Sequence, residues 1–252
     1  MTDLQNKLSA RAVALKPSGI RRFFDIANEM DGVISLGVGE PDFKTPYSVR
    51  RAGIENLQSG KTGYSANAGL IELRRAICRY LERKFELSYD PKTEVIVTVG
   101  GSEAIDLAIR AFLNPGDEVL IPEPCFVCYD PIVRLTDGVP VAIPTSAEDH
   151  FRLTPEKLEA AITPKTKLLV LPYPNNPTGG VMRKEHLEAI AEVIKRHDLI
   201  VLSDEIYAEL TYNGHHVSTK LPHTGCRSSG SAAGASKSKS YRRALPPTAC
   251  PK

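Results

Sequence analysis

No apolar run in the 252 residues approaches the roughly 18–20 that a membrane helix needs. The opening stretch TDLQNKLSAR is polar and mixed in charge, without the apolar core of a signal peptide. Cysteine is scarce: five residues, scattered singly apart from Cys125 and Cys128, exclude a secreted disulfide framework. The cytoplasm is therefore the expected location. Acidic residues run out early. None follows Glu209, whereas residues 217–252 hold four Lys and three Arg, so the tail carries +7 and the body −5 within a net charge of +2. A mildly acidic body argues against nucleic acid as its main partner. No internal repeat is present.

What is there is ordinary in bulk, with 42% hydrophobic and 25% charged residues, and a length sufficient for a substantial core. Short apolar runs rich in β-branched residues predict strands at Val95–Val99, Val119–Ile121, Val139–Ile143, Leu168–Leu171 and Leu199–Ser203. Between them, helical periodicity marks Leu70–Phe85, Glu103–Leu113 and Lys184–Arg196. Strands alternating with helices imply βαβ units, hence an α/β domain with a mainly parallel sheet covered on both faces. Asn114-Pro115-Gly116-Asp117 reads as a turn, Asp90-Pro91 as the end of a helix, and Thr163-Pro164 as a break before a strand. From about His215 the periodicity stops. The Ser-, Gly- and Ala-rich basic segment that follows has too little apolar surface to offset its ordering entropy, so disorder is expected over 215–252.

Local clusters at strand ends bear the chemistry. Val99-Gly100-Gly101-Ser102-Glu103 lets a strand turn into a helix, with Ser102 as candidate N-cap, and directs free N–H groups and the positive helix end at one spot. That arrangement suits a phosphate, although it is also simply a good turn. Tyr173-Pro174-Asn175-Asn176-Pro177-Thr178-Gly179-Gly180 forms a stiff loop after a strand, where open α/β sheets place ligands. Asn176 either reaches a ligand oxygen or closes an Asx-type turn on its own backbone. The strand before Asp204 delivers that carboxylate at its end, with Tyr207 three residues on, as an N-cap or as a functional charge. Glu123-Pro124-Cys125-Phe126-Val127-Cys128-Tyr129 puts an aromatic at a further strand end, where core packing is the usual explanation. Cys125 and Cys128 have no second Cys or His pair in the body, so no metal site is expected.

These clusters, in this order, resemble the class I/II aminotransferases of the fold-type-I pyridoxal-phosphate family. The likeness is to the aspartate and aromatic aminotransferase branch, close to the bacterial enzymes called aminotransferase A. It extends through Ser18-Gly19-Ile20-Arg21, Gly37-Val38-Gly39-Glu40-Pro41-Asp42-Phe43, Gly63-Tyr64-Ser65, Gly69-Leu70-Ile71-Glu72-Leu73-Arg74 and Leu210-Thr211-Tyr212. The resemblance implies a three-layer α/β/α large domain over 31–214, preceded by an N-terminal arm over 1–30, and pyridoxal 5'-phosphate as cofactor. It assigns Asp204 to the pyridinium nitrogen, Asn176 and Tyr207 to the phenolic oxygen, and Phe126 to the ring face. Gly101, Ser102 and Glu103 would meet the phosphate, Glu103 only through its N–H. Tyr64 would cross a homodimer interface to the partner's phosphate, and Gly39 would lie beside the substrate carboxylate. Lys61 and Arg74 are taken as surface or structural charges.

The family lysine that binds the cofactor covalently is expected within the basic tail. Ser236-Lys237 lies near the right distance, with Lys239 after it, but no apolar strand precedes them and no Gly-x-Arg follows. Lys237 is thus a weak candidate. The arginine that would clamp a substrate carboxylate is missing, and the abrupt change after Gly214 suggests a truncated, frameshifted end and an inactive chain. Intact, the protein would move an amino group between an amino acid and a 2-oxo acid. The other readings are a cofactor-dependent C–S lyase or cyclising relative, a non-catalytic cofactor-binding or dimerising fragment acting through the Tyr64 surface, and, last, a basic nucleic-acid arm.

Overall fold

A computed structural model describes residues 7–15, 26, 29, 30, 32, 39, 43–212 and 214–219, together with the backbone of 228–230. The chain divides into two compact units, 1–66 and 67–252. The described part of the first unit holds two helices. Helix α1 (Ala10–Ala14) is capped by Ser9, whose hydroxyl accepts from the Ala12 N–H at 3.2 Å. Helix α2 spans Tyr47–Gln58 and buries none of its residues.

The second unit begins with α3 (Ile71–Phe85), followed by α4 (Gly101–Phe112). From there strands and helices alternate: β1 (Glu118–Glu123), α5 (Tyr129–Leu135), β2 (Val139–Pro144), α6 (Pro155–Ala161), β3 (Thr166–Leu171), α7 (Lys184–Arg196) and β4 (Ile200–Ser203). A short β5 (Ser228–Gly230) completes a five-stranded sheet of order β2-β1-β3-β4-β5, and every pairing is parallel. The sheet is buried on both faces because successive side chains alternate. Leu120, Leu169, Leu171 and Val201 pack with Leu158 of α6 and with Leu187, Ile190 and Ile194 of α7. Val119, Ile121, Leu168, Val170 and Leu202 pack on the opposite face with Ile105 and Ile109 of α4 and Val133 of α5. This is the expected α/β/α sandwich.

The turn at 114–117 forms as read. Gly116 takes φ +85°, and the Asp117 carboxylate accepts from the Asn114 N–H at 2.8 Å. Helix α3 ends earlier than Asp90-Pro91, on Glu86 in the left-handed conformation at φ 56°.

One expectation is corrected. Val95–Val99 is not a strand: only Val95 makes an isolated bridge, and Val99 is 93% exposed. A β-branched run becomes a strand only beside a partner, and the described residues supply it little more than Val97 N–H donating to the Ala68 carbonyl at 3.1 Å. Within the segment beyond Gly214, His216, Ser218 and Thr219 are tied to a buried carboxylate, and Ser228–Gly230 pairs with Val201–Ser203. One long-range acceptor, not local apolar content, holds His216, Ser218 and Thr219. The remainder of the tail, including Ser236, Lys237 and Lys239, lies outside the described residues.

Candidate cofactor site

The carboxyl ends of β1, β3 and β4 are adjacent, and each delivers one of the singled-out groups. Open parallel sheets bind ligands at such ends. Asp204 follows β4 directly and keeps the sheet pattern for one more residue, its N–H donating to the Leu171 carbonyl at 3.1 Å. Its side chain is buried. Oδ2 accepts the Tyr129 hydroxyl at 2.8 Å and Oδ1 accepts the Ile206 N–H at 3.2 Å. Burial pushes this carboxyl above its ordinary range, the two hydrogen bonds pull against that shift, and the neighbouring Glu205 charge adds to it. Asp204 is no helix N-cap here, since only a three-residue 3₁₀ turn, Ala208–Leu210, follows.

The loop after β3 resolves the choice posed for Asn176. Asn175, not Asn176, makes the Asx-type closure: its Oδ1 accepts the Thr178 N–H at 3.3 Å and the Thr178 hydroxyl at 3.0 Å. The loop is pinned further by Asn175 N–H to the Gly180 carbonyl and Gly179 N–H to the Asn175 carbonyl, both at 2.9 Å. Asn176 is thereby released outward. Its Nδ2 donates to the Tyr207 hydroxyl at 3.1 Å, so the two residues assigned to one ligand oxygen do meet.

At the third strand end, Phe126 lies edge-on to Tyr129, with ring centroids 6.3 Å apart at 81°. Cys125 and Cys128 flank them. Burial, first of all, pushes their thiols up to about 12 and about 11, so both stay uncharged at neutral pH. No group of His, Cys, Asp or Glu among the described residues is arranged to hold a metal.

The glycine turn differs from expectation in its cap. Gly100, at φ 87°, is the N-cap of α4, and Ser102 sits inside the first turn. Glycine takes this position because a side chain strains a positive φ. The Glu103 carboxylate turns back to accept the Val99 N–H through Oε2. The helix start lies close to the β4 end, since a methyl on Gly101 would stand 3.9 Å from Ile206 Cδ1. Gly39 and Tyr64 belong to the first unit, where both are exposed. Arg74 donates from its guanidinium to the Lys92 carbonyl at 3.3 Å.

Two residues were missed by sequence reasoning. Tyr129 has no role legible in its own segment, because nothing local couples it to a carboxylate 75 positions away. Glu205, beside Asp204 in the chain, is buried and carries its own set of donors.

A parallel sheet that brings a buried carboxylate, an amide–phenol pair and an aromatic ring to neighbouring strand ends, with a helix N-terminus close to one of them, defines an α/β domain with a candidate ligand site. The chain belongs to the aminotransferase class I and II family, whose sequence model matches residues 31–238. It is 58% identical over 206 residues to a putative aminotransferase of Bacillus subtilis, YugH, covering 82% of this chain and 53% of that protein. It is 45% identical over 207 residues to aromatic-amino-acid aminotransferase 2 of Thermococcus litoralis, again covering 82% and 53%. Among solved structures, Thermus thermophilus aspartate aminotransferase with maleate superposes with a TM-score of 0.80 at 45% identity, covering 84% of this chain and 56% of that one. The chain thus spans about half the length of the relatives it matches. No described helix is long and apolar enough to cross a membrane.

Proposed function

We propose that residues 31–214 hold pyridoxal 5'-phosphate and that the protein is an aminotransferase, moving an amino group between an amino acid and a 2-oxo acid. The observation that supports this most is Asp204. It is a buried carboxylate with no cationic partner among the groups that act on it, held at the end of β4 beside the Asn176–Tyr207 pair. A pyridinium N–H is the kind of donor such a carboxylate lacks.

The chain's own residues divide the work. Asp204 would keep the ring nitrogen protonated, and the bound cofactor would then supply an electron sink for a carbanion at the substrate α-carbon. Asn176 and Tyr207 would hydrogen-bond the phenolic oxygen. Phe126 would cover one ring face and exclude water from it. The first N–H groups of α4, at Gly101, Ser102 and Glu103, would bind the phosphate with the help of the helix dipole. Gly39 would take the substrate carboxylate side. A homodimer in the cytoplasm, with Tyr64 reaching the partner's phosphate, belongs to the same reading.

The test is direct. Pyridoxal phosphate is added to the purified chain, bound cofactor is followed by its visible absorbance, and a borohydride-trapped adduct is mapped. Saturable binding that Asp204→Ala abolishes supports the proposal, and an adduct at Lys237 would extend it to catalysis. Binding without an adduct points to the non-catalytic reading. No binding at millimolar cofactor sinks the proposal for this chain.

A further inference from the structure

The least expected contact at the site is the one that holds Asp204 from behind. Tyr129 is the first residue of α5, and it is 2% exposed. Its ring is set in the core layer with Ile105, Ile121 and Val133. From that fixed position the hydroxyl reaches Asp204 Oδ2 at 2.8 Å, while the Ile206 N–H occupies Oδ1 at 3.2 Å. Each carboxylate oxygen is therefore engaged once by the protein and keeps a lone pair for an incoming donor.

We infer that Tyr129 is the positioning residue of the cofactor-pairing carboxylate, its buried hydroxyl fixing the direction in which Asp204 faces the ligand. The inference rests on the cofactor reading for its purpose but not for its geometry.

The chemistry makes Tyr129 a donor and nothing else. Burial, and next the Asp204 charge, push its phenol far above the ordinary tyrosine range, so the proton remains on Tyr129. The groups around the pair are the thiols of Cys125 and Cys128, both neutral, and the Glu205 carboxylate beside Asp204 in the chain. No described cation competes for Asp204, so Tyr129 and the Ile206 N–H are the interactions that favour its charged form. The same short segment also carries Phe126, three residues before Tyr129 and in edge-on contact with it. Displacing α5 would then disturb both the ring-covering residue and the grip on Asp204.

The experiment compares the full chain with Tyr129→Phe, which keeps the ring and removes the donor. Without any ligand, the Asp204 carboxyl is titrated by its carbon-13 shift. The midpoint is expected to rise by about one pH unit, the tenfold change that loss of one hydrogen bond to a charged group brings. With pyridoxal phosphate as probe, affinity is expected to fall about tenfold. A merely structural tyrosine would leave the midpoint in place while lowering the melting temperature, and that result overturns the inference. Should Tyr129→Phe fail to fold, a fluorinated tyrosine at 129, a stronger donor of nearly equal size, must lower the midpoint instead. If wild type ignores pyridoxal phosphate while the Asp204 midpoint follows the donor, the cofactor reading falls and the positioning role stands. If wild type and Tyr129→Phe bind the probe equally, with an unmoved midpoint, the inference falls and the cofactor reading stands.

Discussion

Glu205 Oε2 and His216 Nε2 meet at 2.8 Å in the interior, both side chains 8% exposed. Oε1 of the same carboxylate accepts from the hydroxyls of Ser203, Ser218 and Thr219 and from the Thr219 N–H, at 2.8–3.1 Å. One buried acid thus gathers the segment beyond Gly214 back against the end of β4. The ring of Phe85, edge-on to His216 at 5.8 Å, closes the pocket from α3.

Glu205→Ala should cost about 3 kcal/mol, because it strands several buried donors at once. Burial raises the Glu205 carboxyl, but His216 and the other donors outweigh it, and the net shift is below the ordinary 4.5. A lowered folded value means the stabilisation is fully present above about pH 4.5 and is lost as pH falls through the lower folded value. Urea unfolding of both proteins at pH 7, 5 and 4 should show the gap narrowing only at the acid end. A gap independent of pH would show that the charge is not what matters.

Asp204, one residue earlier, has the opposite sign. Its folded value is raised, so its contribution is greatest below the unfolded value of 3.8 and declines as pH rises through the folded one. Asp204→Asn should therefore be more stable than wild type at neutral pH and yet bind pyridoxal phosphate far more weakly. Chemical denaturation beside an absorbance titration checks both halves, and a destabilised Asp204→Asn would contradict the first.

The paired asparagines should separate cleanly. Asn175→Ala removes the acceptor that closes the loop on Thr178 and should lower stability by about 1–2 kcal/mol. Asn176→Ala loses only its contact with Tyr207 and should leave the melting temperature nearly unchanged while weakening the cofactor complex. Equal melting losses for the two variants would mean that the division of labour in this loop is misread.

Gly69 sits at φ +90°, and a methyl there would stand 2.7 Å from both Cβ and Cγ2 of Val97. Strain and overpacking act together, so Gly69→Ala should cost about 2–3 kcal/mol. Val97→Ala in the same chain should recover part of that loss, measured as a double-mutant cycle.

Ile96 and Val99 are 52% and 93% exposed in the segment that fails to become a strand. Apolar, β-prone surface of this kind favours association between chains. Ile96→Lys combined with Val99→Lys should raise solubility in sedimentation assays at an unchanged melting temperature.

Much was legible in the order of residues. Periodicity alone placed α3, α4 and α7 and four of the five sheet strands to within a few residues, because an amphipathic stripe or an apolar run is a local property. Asp204, Asn176 and Phe126 are legible from their positions at strand ends, and a parallel sheet brings such ends together along one edge, whereas the glycine turn follows a segment that is no strand. Val95–Val99 shows the limit of the same reasoning, since a strand needs a neighbour that a single segment cannot specify.

The sequence by itself determined the α/β alternation, the residue types at each strand end and the family to which the chain belongs. Only the tertiary structure decided that Asn175 rather than Asn176 closes the loop, that Tyr129 grips Asp204, and that Glu205 holds His216, Ser218 and Thr219. Hydrogen bonds of this kind join side chains up to 75 positions apart or choose between adjacent identical residues. Their cause is the burial of a polar group that must find a partner, and which partner is in reach is known only once the sheet is assembled.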